Sequence, residues 1–255
     1  MTSLRETLGA AARRAVARGL PSAILDRAPA LRGTKFLADA ARRAGRRGQR
    51  PFRMVNVGAC DGALFDDVTP WLHRIPGARA VLVEPIPYNQ ARLRANYPDA
   101  DRFVIEPVAI TRESGTIAVR TFDSTALEAG KLPIEFIGCS SVTDTNLMSG
   151  VNAWGETDAN FDRFRPYLKD IEVPSETLQA VLDRNGVDYI DAFLVDCEGA
   201  DWTVFDQLDI ARYRPGMIKI EIGALRPDEI GQVLVKLKTA GYHVGLYAED
   251  VWAFA

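Results

Sequence analysis

Three acidic residues lie within six positions at the end of a predicted strand. The apolar run Ala192-Phe193-Leu194-Val195 is typical of a buried strand, and it leads directly into Asp196-Cys197-Glu198-Gly199-Ala200-Asp201. One of these carboxylates could stabilise the start of a following helix through the helix dipole. Three of them at one strand end indicate a polar site, because open α/β sheets bind ligands at the carboxyl ends of their strands.

A glycine-containing loop and a further acidic strand end point to the same edge of a sheet. The loop Gly58-Ala59-Cys60-Asp61-Gly62 follows a predicted strand, and Glu84 ends the next one. Glycine allows the backbone to turn tightly and to approach a ligand closely. Asp61 could accept a hydrogen bond from a cationic amine, and a carboxylate at the position of Glu84 could bind both hydroxyls of a ribose. Together with the acidic run, these features predict a ligand-binding site.

Strands and helices alternate along most of the chain. Predicted strands cover residues 52–57, 80–85, 103–105, 116–122, 192–196, 217–222, 242–247 and 251–255. Predicted helices cover residues 63–73, 89–97, 175–185, 200–208 and 227–240, with Ser175 as the N-cap of the third. This alternation predicts the α/β fold class, with a doubly wound and mostly parallel sheet.

The charge of the chain is unevenly distributed. Residues 1–50 carry 12 basic and 3 acidic side chains, a net charge of +9, whereas the other 205 residues carry a net charge of −12. We expect a basic α-helical extension over residues 1–50, with one helix near 4–20 and a second stretch interrupted at Pro29 and Gly33. The basic charge could attract nucleic acid, but Phe36 is the only aromatic residue in this segment, and RNA-binding surfaces usually stack bases on aromatic rings. Nucleic acid is therefore not an expected partner.

Residues 51–255 form the predicted main domain. Within it, residues 123–172 lack regular periodicity and form an irregular insertion, which in a compact domain is usually a lid or a binding loop. No stretch of 18 apolar residues is present, so we expect no membrane span. Three cysteines without a CxxC pair, and only two histidines, argue against a structural zinc site. The odd cysteine count and the lack of a secretory leader predict a cytoplasmic protein.

As a set, these motifs resemble the FkbM family of S-adenosylmethionine-dependent methyltransferases. The resemblance runs from about Asn56 to the C-terminus and rests on residues 55–62, 83–87, the hydroxyl pair Ser140-Ser141, 173–178, 194–201, 218–221 and 241–242. Its most specific element is the Asp-x-Glu-Gly-Ala-acid run at 196–201, since many methyltransferases share the glycine loop. The resemblance implies a seven-stranded Rossmann-like methyltransferase sheet and S-adenosylmethionine as the cofactor.

The resemblance also implies roles for individual residues. The methionine and ribose parts of the cofactor would lie against Gly58, Ala59 and Gly62, with Asp61 nearby. The ribose hydroxyls would bind Glu84, and the adenine would lie near Pro85, Ile86, Ala109 and Ile110. Asp196 would lie beside the sulfonium and its methyl group, with Glu198 and Asp201 on the acceptor side. Two positions depart from the family pattern: Asn56 replaces an acid found in many such enzymes, and Asp201 replaces a longer glutamate.

The expected reaction is methyl transfer to a hydroxyl of a sugar or small secondary metabolite. The protein must align the acceptor with the methyl group, and a hydroxyl nucleophile benefits from a nearby base. Asp196 and Glu198 are the predicted catalytic residues, and Glu198 is favoured as the base over Glu221 and His243. The spacing requires no metal, although clustered carboxylates suit Mg²⁺. The expected partner is a small-molecule or carbohydrate acceptor, and a homo-oligomer is left open.

Two other functions are left open by the residues. A nicotinamide-dependent dehydrogenase would use similar fold logic, but residues 58–62 lack the G-x-G-x-x-G spacing and Asp61 would repel a diphosphate. A non-catalytic protein that binds S-adenosylmethionine could instead serve as a scaffold or adaptor and dock a partner through residues 1–50.

Overall fold

The computed structural model describes residues 28–141 and 163–255, apart from residues 45, 47, 49 and 65. The helix predicted near 4–20 and the middle of the predicted insertion lie outside these residues. In the part of the chain that is described, no helix combines the length and apolarity that crossing a membrane requires.

Within the described residues, ten strands form a large and a small sheet. In chain order they are β1 (Arg53–Val57), β2 (Arg79–Val83), β3 (Phe103–Glu106), β4 (Ala109–Ile110), β5 (Gly115–Phe122), β6 (Leu168–Glu176), β7 (Ala192–Val195), β8 (Met217–Glu221), β9 (His243–Tyr247) and β10 (Asp250–Phe254). The helices are α1 (Pro29–Arg43), α2 (Pro87–Asn96), α3 (Ser124–Glu128), α4 (Leu178–Arg184), α5 (Asp201–Asp206), α6 (Ile210–Tyr213) and α7 (Pro227–Thr239). Short 3₁₀ helices cover Thr69–His73, Ile134–Gly138 and Arg165–Tyr167.

The large sheet confirms the predicted fold class. Its seven strands are arranged in the order β3-β2-β1-β7-β8-β10-β9. The first five run parallel, and β10 runs antiparallel to both of its neighbours. The chain builds outward from β1 to β3 and then returns to place β7 on the other side of β1. The strand order therefore reverses between β1 and β7, and the crevice at their carboxyl ends is where such sheets bind ligands.

The parallel strands are apolar on both faces because both faces are covered. In β1, Val55 and Val57 pack into one buried cluster, whereas Met54 packs into another on the opposite face. Near-continuous apolar runs are typical of parallel strands buried on both sides. This explains why the sequence predicts the central strands well.

The small sheet has the order β4-β6-β5 and corrects two expectations. Residues 168–172, expected within the irregular insertion, belong to β6, which pairs antiparallel with β5. Ser175, the predicted N-cap, also lies in β6. The cap of α4 is Thr177, whose hydroxyl accepts a hydrogen bond from the Ala180 N–H at 3.2 Å. Pairing with β5 therefore extends the strand into residues that could otherwise have begun the helix.

The helix predicted at 63–73 is wrong except for its last turn. Asp61 Oδ1 accepts hydrogen bonds from the N–H groups of Ala63 and Leu64 at 3.0 and 2.8 Å. Asp66 Oδ1 accepts equivalent bonds from the N–H groups of Val68 and Thr69. Such side-chain bonds compete with helical hydrogen bonds. They leave only the 3₁₀ helix that starts at Thr69.

Helix α1 packs against β9 and β10. The sequence predicts interruptions at Pro29 and Gly33, but the helix runs without a break from Pro29 to Arg43. Pro29 occupies the first turn, where proline is well tolerated. Gly33 lies inside the helix, and a Cβ atom there would come within 2.3 Å of the Trp252 ring. The glycine therefore allows close packing of α1 on β10 and does not break the helix.

Candidate active site

The glycine loop follows β1 and is hydrogen-bonded to the end of β2. The N–H groups of Gly58 and Ala59 both donate to the carbonyl oxygen of Val83 at 3.0 Å. Gly58 has φ +82° and Gly62 has φ +69°, in the left-handed region that glycine adopts without strain. The hydroxyl of Tyr97 donates to the carbonyl oxygen of Gly62 at 2.7 Å and holds the far end of the loop. The loop therefore has one defined path past the end of β2.

Glu84 lies directly after β2, with its carboxylate against this loop. One oxygen accepts a hydrogen bond from the Cys60 N–H at 2.8 Å, and the other accepts one from the Ile86 N–H at 2.8 Å. Asn89 Nδ2 lies 3.5 Å from the second oxygen. The side chain is buried, and burial raises the pKa of Glu84 to about 7 although these hydrogen bonds lower it. The structure thus holds a carboxyl group in a fixed orientation where the sequence predicts contact with a ribose.

Asp61 is engaged by the protein itself. Besides the two N–H groups of its own turn, its carboxylate accepts a hydrogen bond from Arg92 of α2 at 2.9 Å, and its side chain is only 2% exposed. Direct contact with a cofactor amine was the sequence-based expectation. The observed contacts favour an indirect role instead, in which Asp61 ties the loop to α2. Asn56 is also internal, since its Nδ2 donates to Thr69 Oγ1 at 2.9 Å.

The residues expected near an adenine are divided between two environments. Ile110 is buried in the main core, whereas Ala109 is partly buried beside a small cluster that includes Ile86. Both belong to β4, which pairs with the end of β6. Ala109 therefore packs with Ile86, the residue after Pro85, whereas Ile110 faces the main core.

Asp196, Glu198 and Glu221 form an acidic cluster at the ends of β7 and β8. One carboxylate oxygen of each lies within 4.8 Å of the others. Glu221 Oε2 is buried, finds no hydrogen-bond donor among the described residues and has the Asp196 carboxyl as a polar neighbour. Two carboxyl groups bond to each other only if one of them carries a proton. The acidic cluster therefore favours either shared protons or a bound positive charge.

The loop that carries this cluster is strained and internally braced. Glu198 has φ +49° and Gly199 has φ +100°, and the left-handed region costs a non-glycine residue about 1–2 kcal/mol. Asp201, which is fully buried, accepts hydrogen bonds from the N–H groups of Cys197 and Gly199 at 2.8 and 3.0 Å. Asp201 was expected to face the acceptor. Its contacts show instead that it stabilises the conformation of the loop by accepting hydrogen bonds from two of the loop's N–H groups.

Burial and the charges of neighbouring carboxylates raise the pKa values of Glu198, Asp201 and Glu221. Burial raises the pKa of Asp201 to about 7, with a contribution from the charge of Asp196. Burial and the neighbouring carboxylates also raise the pKa values of Glu198 and Glu221 far above the ordinary range. Without a bound cation, part of the acidic cluster is therefore protonated at neutral pH. A positive charge placed beside it would favour ionisation.

A buried cation lies on the same face of the sheet. Lys219 Nζ is 3.2 Å from Asp250 Oδ2. Burial alone would lower the pKa of Lys219, but the charges of Asp250, Asp67 and Asp196 raise it above its usual value. A charged residue within an apolar strand was the sequence signal for this ion pair. The pairing of Lys219 with Asp250 was not predicted from the sequence.

The spacing of the acidic cluster would also suit a divalent cation. Opposite oxygen ligands of an octahedral Mg²⁺ site lie about 4.2 Å apart, close to the 4.8 Å limit within which these oxygens lie. Asp196, Glu198 and Glu221 are therefore the residues that could hold such an ion. The expectation that no metal is needed stays a prediction.

His243 lies at the opposite end of the sheet from Glu221. It pairs with Phe254 of β10, which in turn pairs with Met217 at the start of β8. Glu221 ends the same strand, at the edge that carries the acidic cluster. This placement leaves Asp196, Glu198 and Glu221 as the candidate catalytic acids and removes His243.

Comparisons with known proteins show the family and the fold of this chain. The model of the methyltransferase FkbM domain matches residues 56–244. A crystal structure of methyltransferase FkbM from Methylobacillus flagellatus KT has a TM-score of 0.50 and 13% sequence identity, covering 97% of this chain and 59% of that chain. This chain thus spans less than two thirds of that protein's length. At this identity the likeness supports the fold alone.

Two further solved structures are more distant. A precorrin-6y C5,15-methyltransferase from Geobacter metallireducens GS-15 has a TM-score of 0.37 and 14% identity, covering 87% of this chain and 84% of that chain. A ribosomal protein L11 methylase from Lactobacillus delbrueckii subsp. bulgaricus has a TM-score of 0.36 and 9% identity, with coverages of 88% and 77%. No curated protein sequence matches the chain. Because the domain match spans most of the chain, including the glycine loop, Glu84 and the acidic cluster, the chain belongs to the FkbM methyltransferase family.

Proposed function

We propose that the protein is an S-adenosylmethionine-dependent O-methyltransferase that acts on a hydroxyl of a sugar or small secondary metabolite. Family membership supports methyl transfer. The observation that best supports the cofactor is the carboxyl of Glu84, which two backbone N–H groups orient beside the glycine loop. The O-methyl preference comes from the family resemblance.

In this proposal one end of the crevice binds the ribose and adenine of the cofactor, and the other end faces the sulfonium and the acceptor. When bound, S-adenosylmethionine supplies a methyl group attached to a positively charged sulfur. Glu84 accepts hydrogen bonds from the ribose hydroxyls, and Gly58, Ala59 and Gly62 provide a backbone surface without bulky side chains. The adenine lies near Pro85 and Ala109, with Ile110 as support. Asp61 contributes by holding the loop.

The acidic cluster serves the sulfonium and the acceptor. Asp196 is exposed at the end of β7 and complements the positive charge. Glu198 accepts the proton of the acceptor hydroxyl, a contribution that is typically about 10²–10⁴-fold in rate. Its raised pKa would keep it protonated in the free protein. A cation beside the cluster lowers that pKa, so that Glu198 becomes a base when the cofactor is bound.

Calorimetric titration with S-adenosylmethionine tests the cofactor, with NAD as the control ligand. We expect saturable binding of S-adenosylmethionine alone. Binding should be lost in Glu84→Ala and kept in Glu172→Ala, which removes an exposed carboxylate from β6. Binding of NAD would instead favour a dehydrogenase. A folded protein that binds neither ligand would contradict the proposal.

Transfer of labelled methyl groups to a panel of sugars and hydroxylated small molecules tests the reaction. We expect labelled product that depends on Glu198. Cofactor binding without transfer to any of them would favour the scaffold or adaptor reading. A variant that lacks residues 1–27 then tests whether the basic segment docks a partner. This variant keeps α1 in place on β10. The cytoplasmic location stays a prediction.

A further inference from the structure

Ser141 connects the small sheet to the acidic cluster. Its hydroxyl donates a hydrogen bond to the carbonyl oxygen of Glu198 at 3.1 Å, although the two residues are 57 positions apart. The residue is buried, at 3% exposure. This bond joins an edge of the small sheet to the loop that follows β7.

The donor is held rigidly. Ser141 and Arg120 of β5 exchange two backbone hydrogen bonds, with lengths of 2.9 and 3.0 Å. Ser141 therefore follows the position of β5, and its hydroxyl has little freedom to follow Glu198. This donor holds the loop from outside, whereas Asp201 holds it from within its own segment.

The acceptor belongs to the residue whose backbone is strained. Asp201 holds the N–H groups on either side of Glu198, but it has no contact with the Glu198 carbonyl. Ser141 supplies that contact. The Glu198 carbonyl and the Gly199 N–H belong to one peptide group, so Ser141 and Asp201 together hold the backbone that carries the Glu198 side chain beside Asp196 and Glu221.

We propose that Ser141 is a positioning residue that holds Glu198 in the acidic cluster and so aligns the cluster with the sulfonium of the cofactor. This inference rests on the proposed function. It assigns a role to a residue outside the glycine loop and the acidic run.

The neighbouring serine provides a matched control. The hydroxyl of Ser140 bonds to Thr121 Oγ1 at 2.8 Å and shows no bond to the acidic loop. Ser140→Ala and Ser141→Ala remove the same atom from adjacent positions. Only the second removes a contact with Glu198.

Affinities for S-adenosylmethionine and S-adenosylhomocysteine, measured by calorimetry from pH 6 to 9, test the role without a known acceptor. The second ligand lacks the positive charge, so the ratio of the two affinities reports on the acidic cluster. We expect Ser141→Ala to bind S-adenosylhomocysteine like the wild type. Its preference for S-adenosylmethionine should fall about 3- to 10-fold, the usual effect of one hydrogen bond, and should rise less steeply with pH. Ser140→Ala should match the wild type in both respects.

Two results would overturn the inference: an unchanged ratio in Ser141→Ala, or an equal loss of both ligands, which would indicate a purely structural role. If Ser141→Ala does not fold, Ser141→Cys keeps the side-chain size with a weaker donor, and an unchanged ratio in that variant has the same meaning. Failure of the proposed function is distinguishable, because the wild-type protein would then bind neither ligand or would transfer no methyl group to any acceptor, and neither result depends on Ser141.

Discussion

Gly58 lies so close to the carbonyl oxygen of Asp196 that a Cβ atom at Gly58 would come within 1.7 Å of it. The end of β1 therefore passes directly against the end of β7. This contact brings the glycine loop and the acidic cluster into one crevice, and it leaves room for glycine alone.

Replacing Gly58 should therefore damage both stability and binding. In Gly58→Ala the added methyl group must displace backbone, and φ +82° is unfavourable for alanine. We expect the free energy of unfolding in urea to fall by about 2–5 kcal/mol, from overpacking and backbone strain together, with loss of S-adenosylmethionine binding. Gly231→Ala in α7 is the control, since no atom lies within 4 Å of its Cβ position. It should gain up to about 1 kcal/mol, and equal behaviour of the two variants would contradict the packing argument.

The free protein should become less stable as the pH rises from 5 to 8. Glu84 and Asp201 have pKa values of about 7 in the folded protein, above their usual 4.5 and 3.8, because they are buried. The unfolded chain gives up these protons at lower pH, so the stability that these two groups contribute is complete below about pH 4, declines between about pH 4 and pH 7, and is lost above about pH 7. The slope approaches about 1.4 kcal/mol per pH unit for each independent group. Urea unfolding at pH 5.5, 7 and 8.5 measures this, and a rise in stability with pH would contradict it.

The affinities for S-adenosylmethionine and S-adenosylhomocysteine should depend differently on pH. A protonated Glu84 cannot accept two ribose hydrogen bonds, so both affinities should fall below pH 7, by at most about tenfold per unit. Ionisation of Glu198 and Glu221 above pH 7 should strengthen the binding of S-adenosylmethionine alone, because only it carries a positive charge. Calorimetry with both ligands measures these slopes. Parallel curves across the whole range would show that the acidic cluster does not face the sulfonium.

Glu198→Gln should separate catalysis from binding. Loss of the base should lower methyl transfer to a hydroxylated acceptor by about 10²–10⁴-fold, while affinity for S-adenosylhomocysteine stays near the wild-type value. Glu249→Gln is the control, since Glu249 is an exposed carboxylate near the acidic cluster. Wild-type turnover in Glu198→Gln would assign the proton transfer to another group.

Methyl transfer and cofactor binding should both survive chelation. The proposed reaction needs no metal ion, because the sulfonium supplies the positive charge beside the acidic cluster, and the protons on Glu198 and Glu221 in the free protein compete with a divalent cation. We expect no saturable Mn²⁺ binding by electron paramagnetic resonance after treatment with EDTA. Binding that is abolished in Glu221→Gln would instead place a metal ion in the acidic cluster.

The sequence alone determined the fold class and the main parts of the site. Apolar runs as in β1 and β7 identify buried parallel strands, and Gly58, Glu84 and Asp196 follow such strands directly. Ligand-binding residues at strand ends are predictable because a strand and the residues that follow it are local in the chain. The Asp-x-Glu-Gly-Ala-Asp run is also local in the chain, and the family could therefore be identified from it.

The tertiary structure decided which polar residues face the crevice. Asp61 binds Arg92 and Asp201 binds the backbone beneath its own loop, although both have the same side chain as Asp196. Ser141 reaches Glu198 across 57 residues because it pairs with Arg120 of β5 and lies against the loop that follows β7. Sequence patterns report which residues are polar and which are apolar. The partner of each buried carboxylate depends on contacts between distant segments, which exist only once the sheets are assembled.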